Sequence, residues 1–204
     1  MTAYPDYAAA EAAAYALLLE ARPALPIRPL ALLKTSSLLL TYNEAAARLE
    51  MSEEAFERCY GMADAFTIRQ GGEVLVCYRA DGNPARLNYT LSHELGHIRL
   101  RHGGSGPAQE READHFASCL LCPEPVRQRL LRRPELSAED AAKFCFLSIS
   151  AIQAAMRRRP TQAPPELLAA VDALFAAQVE ALKPSEIKGF RHPLKKIEKN
   201  VEKS

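Results

Sequence analysis

The reading turns on residues 88–98, Asn88-Tyr89-Thr90-Leu91-Ser92-His93-Glu94-Leu95-Gly96-His97-Ile98. Leu91, Leu95 and Ile98, with Leu87 upstream, recur at helical spacing, which predicts one amphipathic helix over residues 84–101. Pro84 suits its first position, and the run His102-Gly103-Gly104-Ser105-Gly106-Pro107 breaks it. On such a helix His93 and His97 differ by ~40° in azimuth and ~6 Å in height. Both imidazoles therefore reach one ion at Zn–N distances of ~2.0–2.1 Å. Glu94, rotated ~100° from His93, places its carboxylate beside that ion without needing to ligate it, where a general base for a metal-bound water belongs. Gly96 removes a side chain beside the metal, so close approach by another strand or a substrate is expected there.

Zinc prefers four ligands and a catalytic site keeps one of them for water, so a third protein ligand is needed. The expected second helix, residues 107–122, offers Glu110-Arg111-Glu112-Ala113-Asp114. Glu110 and Asp114 share a face, while Ala113, Phe116, Ala117 and Leu120 form the apolar stripe. Glu110 is assigned as the third ligand. Asp114 becomes the acceptor for the free ring N–H of His93 or His97, fixing its tautomer. Glu112 is the fallback ligand, but lies ~200° from Glu110, so the two do not face the metal together. The Gly-rich break lets the two helices fold back antiparallel.

Residues 91–97, followed by Glu110-Arg111-Glu112-Ala113-Asp114-His115-Phe116-Ala117 and Leu120-Leu121-Cys122-Pro123, resemble the ImmA/IrrE family of zinc metallopeptidases. The similarity extends upstream through Ala63-Asp64-Ala65-Phe66-Thr67-Ile68-Arg69, Arg86 and Tyr89-Thr90, and back to Asp6-Tyr7 and Leu25-Pro26-Ile27, covering roughly residues 5–158. Cys122 stands where that family usually has methionine. The resemblance implies a gluzincin-like core with His93, His97 and Glu110 as zinc ligands and Glu94 as the catalytic glutamate. It further implies a helix-turn-helix-like segment after the core, a bacterial or mobile-element source, and limited proteolysis of a helix-turn-helix (XRE-type) repressor partner. The expected organisation is a zincin-like metallopeptidase domain at 1–123, a helix-turn-helix-like segment at 124–160, a linker and amphipathic helix at 161–182, and a basic, disordered tail at 183–204. A tetrahedral oxyanion needs a donor beyond the metal. His102, His115, Tyr78 and Tyr89 are near in sequence, and the spacing does not choose among them.

Around this centre the chain reads as a small α+β protein, mainly helical with a short edge sheet. A helix is expected over residues 6–21 with Asp6 as N-cap, then an extended crossing set by Pro23, Pro26 and Pro29. A strand at 38–41, short helices at 44–49 and 53–59, and a hairpin of 65–69 with 73–78 complete the first half. Helices at 126–131, 138–159 (broken at 145–147) and 166–182 complete the second. The segment 138–159 has helix-turn-helix spacing, with Ser148 capping its second helix and Arg157-Arg158-Arg159 at the end. Late arginines suit phosphate contact better than base reading, so DNA contact is open but not favoured.

A net charge of +1 over 204 residues excludes a globally electrostatic nucleic-acid or membrane binder. The longest apolar run, Ala12 to Leu19, has eight residues, too few to span a bilayer. No basic residue precedes it, so a signal peptide is not expected. Five cysteines, an odd number, fit reduced thiols in the cytoplasm. Cys119-x-x-Cys122 lacks a second pair and reads as buried small hydrophobes, and Cys59, Cys77 and Cys145 are expected in the core. His192 falls in the basic tail and is expected in solvent. The rival from a different class is a non-catalytic regulator that uses the helix-turn-helix-like segment on DNA or a repressor, with a structural or vestigial zinc site.

Overall fold

Asn83 opens the helix that carries the motif. Its side chain accepts hydrogen bonds from the Ala85 and Arg86 amides, and Pro84 follows as a first helical residue with no amide hydrogen to satisfy. The computed structural model describes residues 4–183 except 62, 71, 105, 159 and 160. Its elements in chain order are α1 (Tyr7–Ala21), α2 (Pro29–Leu33), β1 (Leu38–Thr41), α3 (Tyr42–Arg48), α4 (Glu53–Tyr60), β2 (Ala65–Gln70), β3 (Glu73–Tyr78), α5 (Pro84–Arg99), α6 (Pro107–Leu121), α7 (Glu124–Leu131), α8 (Ala138–Cys145), α9 (Ile149–Met156) and α10 (Pro165–Glu180). The architecture is α+β and mainly helical. The polar starts act as expected: Asp6, Ser52 and Ser148 each accept a backbone N–H in the first turn of α1, α4 and α9.

The sheet runs β1-β3-β2, with β3 parallel to β1 and antiparallel to β2. Side chains alternate across it. Ala65 and Val76 join the large core, while Cys77 joins a smaller cluster with Tyr42, Ala45, Ala46 and Phe56 from α3 and α4. Thr67 pairs with Val76 in the sheet register, so it shares the face turned to α5.

The large core is set by α1, α5 and α6. Tyr15, Leu18, Leu91, Leu95, Phe116 and Leu120 are buried in it together with Phe175 of α10. Beneath lies a buried polar network at the α6–α7 corner. The Tyr15 hydroxyl donates to Glu11 Oε1 at 2.9 Å and accepts the Glu124 amide at 3.0 Å. Arg127 holds Glu124 bidentately at 2.5 and 2.7 Å, and Arg158 donates to Ser118 Oγ at 2.8 Å and to the Cys122 carbonyl at 3.0 Å.

Several expectations need correction. Pro29 does not end a wholly extended crossing but starts α2, where its missing N–H costs nothing. Cys59 is exposed, because α4 buries only Phe56, whereas Cys77, Cys119, Cys122 and Cys145 are buried. The segment expected to be helix-turn-helix-like contains α8 and α9, with Phe146 in a left-handed conformation between them. Its arginine cluster is not one surface. Arg158 turns inward to the buried corner, Arg157 is exposed, and Arg159 lies outside the described residues. The tail expected at 183–204, with His192, also lies outside them beyond Lys183. Among the described residues no helix is long and apolar enough to cross a membrane.

Candidate metal centre

Helix α5 lies against α6, and the contact is made where Gly96 leaves room. A Cβ at Gly96 would meet Ala113 Cα at 3.1 Å and Phe116 Cβ at 3.2 Å. The close approach expected at Gly96 therefore comes from α6, neither from a strand nor from a substrate. With the helices this close, His93 and His97 on α5 face Glu110 in the first turn of α6. A carboxylate is also favoured there by the partial positive charge of a helix N-terminus.

Nε2 of His93 lies 3.0 Å from Nε2 of His97, and the Glu110 carboxylate lies 3.2 Å from the first and 3.4 Å from the second. Two ligands each ~2.05 Å from a tetrahedral zinc are separated by ~3.3 Å. These three groups therefore stand at the spacing that a tetrahedral ion requires, and their donor atoms, two imidazole nitrogens and a carboxylate oxygen, are a common zinc set. Among the described residues they form a group suited to one metal ion.

Asp114 lies one turn beyond Glu110, and its Oδ1 is 2.9 Å from Nδ1 of His93. Nε2 of His93 is thereby left to point at the metal position. Burial pulls the His93 pKa down, but the Asp114 hydrogen bond and charge outweigh it and raise the value. For Asp114 burial works upward, and the bond from His93 prevails and lowers it. Tyr89 adds a hydroxyl to Asp114 Oδ1 at 3.3 Å. His97 has no such carboxylate partner, and burial, reinforced by His93, lowers its pKa to about 4. Its affinity for protons is thus weak where its lone pair is wanted for a metal.

Glu94 is 9% exposed and does not join the ligand group. Its Oε2 accepts a 2.5 Å hydrogen bond from Thr67 Oγ1, so β2 fixes the carboxylate beside the histidines. Burial raises its pKa above the usual carboxylate range, against the Thr67 hydrogen bond, which lowers it. A raised carboxyl pKa suits a group that must both take and return a proton.

Glu112, the fallback ligand, is not at the metal position. Its Oε2 lies 2.9 Å from Nε2 of His102, and Nδ1 of His102 lies 2.9 Å from Nδ1 of His97. Of the donors considered for an oxyanion, His102 and Tyr89 are thus engaged with Glu112 and Asp114. His115 packs against Tyr7 with the rings tilted by 51° and their centroids 5.0 Å apart, and it contacts Cys119. Two pairings escaped the sequence reading, Thr67 with Glu94 and His102 with His97. Thr67 could be found only through strand β2 crossing α5, and His102 only through the turn that ends α5. In that turn Arg101 is left-handed (φ 56°), the Arg101 amide bonds the Ile98 carbonyl, and the His102 amide returns to the His97 carbonyl at 3.0 Å. This Schellman pattern brings residue 102 back over residue 97.

Comparison with known proteins adds one finding. Residues 63–156 match the family model described as IrrE N-terminal-like domain, peptidase family M78. The match begins just before β2 and ends with α9, so Asp6-Tyr7 and Leu25-Pro26-Ile27 fall outside it. No curated protein and no solved structure matches the chain. The segment that holds Thr67, the two histidines, Glu94 and Glu110 thus matches an IrrE N-terminal-like domain, in agreement with the resemblance to the ImmA/IrrE metallopeptidase family.

Proposed function

We propose that the protein is a zinc-dependent endopeptidase that cuts one protein partner, a helix-turn-helix (XRE-type) repressor, by limited proteolysis. The observation that carries the reading is Glu94: a carboxylate held by Thr67 beside two histidines and a glutamate, without joining them. A purely structural metal site has no use for such a group. His93, His97 and Glu110 would hold the zinc, which supplies Lewis acidity toward a carbonyl and lowers the pKa of water.

The chain's own residues do the remaining work. Glu94 takes the proton of the attacking water and delivers it to the leaving amine, a cycle its raised pKa favours. Thr67 holds Oε2 of Glu94 and so keeps the carboxylate in place while it carries that proton. Asp114 holds His93 through Nδ1 so that Nε2 faces the metal position. The repressor substrate rests on the family resemblance and on the expectation that a cytoplasmic protease acts narrowly.

The test is to mix the zinc-loaded protein with a helix-turn-helix (XRE-type) repressor, taken from the neighbouring coding region where one is present, and compare Glu94→Gln. The variant should keep one zinc per chain and lose cleavage. Normal cleavage by Glu94→Gln removes the mechanism. Full zinc loading without cleavage by the unaltered protein favours instead the regulator that binds without turnover.

A further inference from the structure

We infer that His102 and Glu112 are positioning residues that orient the ligand His97, and that they tie the metal centre to the start of α1. The inference rests on the zinc reading above. His97 presents Nε2 to the ligand group, so its ring proton belongs on Nδ1, 2.9 Å from Nδ1 of His102. His102 then accepts at Nδ1 and carries its own proton on Nε2, which donates to Glu112 Oε2 at 2.9 Å. The protons are assigned from this pattern, and one direction of donation satisfies every bond. The other oxygen of Glu112 accepts the Asp6 backbone N–H at 2.7 Å, at the cap of α1.

His93 and His97 are therefore oriented by different means. His93 donates directly to a carboxylate, while His97 reaches one through an intervening imidazole. The His102 and Glu112 side chains are only 6% and 16% exposed, so water is a poor substitute for either. The chain also explains why Glu112 is acidic at a position turned away from the metal.

Three full-length variants decide the matter: His102→Ala, Glu112→Gln and the double substitution. Zinc affinity is read by competition with a chromophoric chelator, the cobalt(II) visible spectrum reports ligand geometry, and melting of the metal-free form reports folding. His102→Ala should weaken zinc binding about 10–100-fold and alter the cobalt bands, while still melting cooperatively without metal. Glu112→Gln should act in the same direction but less. The double variant should bind zinc no more weakly than His102→Ala, because Glu112 acts through His102. Should His102→Ala not fold, Glu112→Gln alone carries the test. Unchanged zinc affinity and cobalt bands in a folded variant overturn the inference while leaving the peptidase reading intact. If the unaltered protein binds no zinc, both fall.

Discussion

Thr67, on a strand, donates its hydroxyl to Oε2 of Glu94, on a helix, at 2.5 Å. The bond fixes where the carboxylate stands, and it lowers a pKa that burial raises, together with the charge of His93 and a weaker contribution from the Thr67 backbone. Thr67→Val keeps the side-chain shape but removes the donor. Turnover should fall roughly 10–100-fold with zinc content unchanged. A hydrogen bond to the charged form lowers a carboxyl pKa, so its loss must raise it, and the acid limb of the pH–rate profile should move to higher pH. Thr67→Ser should retain the profile.

Gly96→Ala tests the helix contact that brings Glu110 to the histidines. The added methyl meets backbone and ring carbons of α6 at 3.1–3.2 Å, none of them the end of a flexible chain. Overpacking of this kind costs roughly 1–3 kcal/mol. The variant should melt lower in chemical or thermal unfolding and bind zinc more weakly, because α6 carries Glu110 away as it shifts.

What could be seen in the sequence was what local spacing encodes. Two histidines four apart need only helical periodicity, and Glu110 with Asp114 needs only the Gly-Pro restart at 106–107. Their convergence follows from the antiparallel return of α6. The pairings of Thr67 with Glu94 and of His102 with His97 were not legible for a different reason. The first depends on which face of a three-stranded sheet meets α5, and the second on Arg101 adopting a left-handed conformation more usual for glycine. The inward turn of Arg158 was hidden in the same way, since an arginine run reads as a surface until its partners are known.

The buried corner should govern acid stability. Burial raises the Glu124 pKa, but the hydrogen bonds from Arg127 and Gln128 prevail, so the folded value lies below normal. Its stabilising contribution is complete above the unfolded glutamate pKa of about 4.3 and is lost as pH falls through the lower folded value. Urea unfolding should show Glu124→Gln losing stability less steeply than the unaltered protein as pH falls below about 4.3. At pH 7 Glu124→Ala should cost about 3–5 kcal/mol, because it strands the buried Arg127.

Arg157 and Arg158 should behave oppositely. Arg158→Ala abandons Ser118 and the Cys122 carbonyl in the interior and should lower the melting temperature clearly. Arg157→Ala, at an exposed position, should change stability by no more than about 0.5 kcal/mol. Equal effects in thermal melts would contradict the inward placement of Arg158.

Zinc K-edge X-ray absorption on the metal-loaded protein tests the centre itself. The account predicts a first shell of nitrogen and oxygen at ~2.0–2.2 Å, with the outer scattering of two imidazoles and no sulfur. A sulfur scatterer at ~2.3 Å would place the metal on the cysteines instead and contradict the assignment of His93, His97 and Glu110.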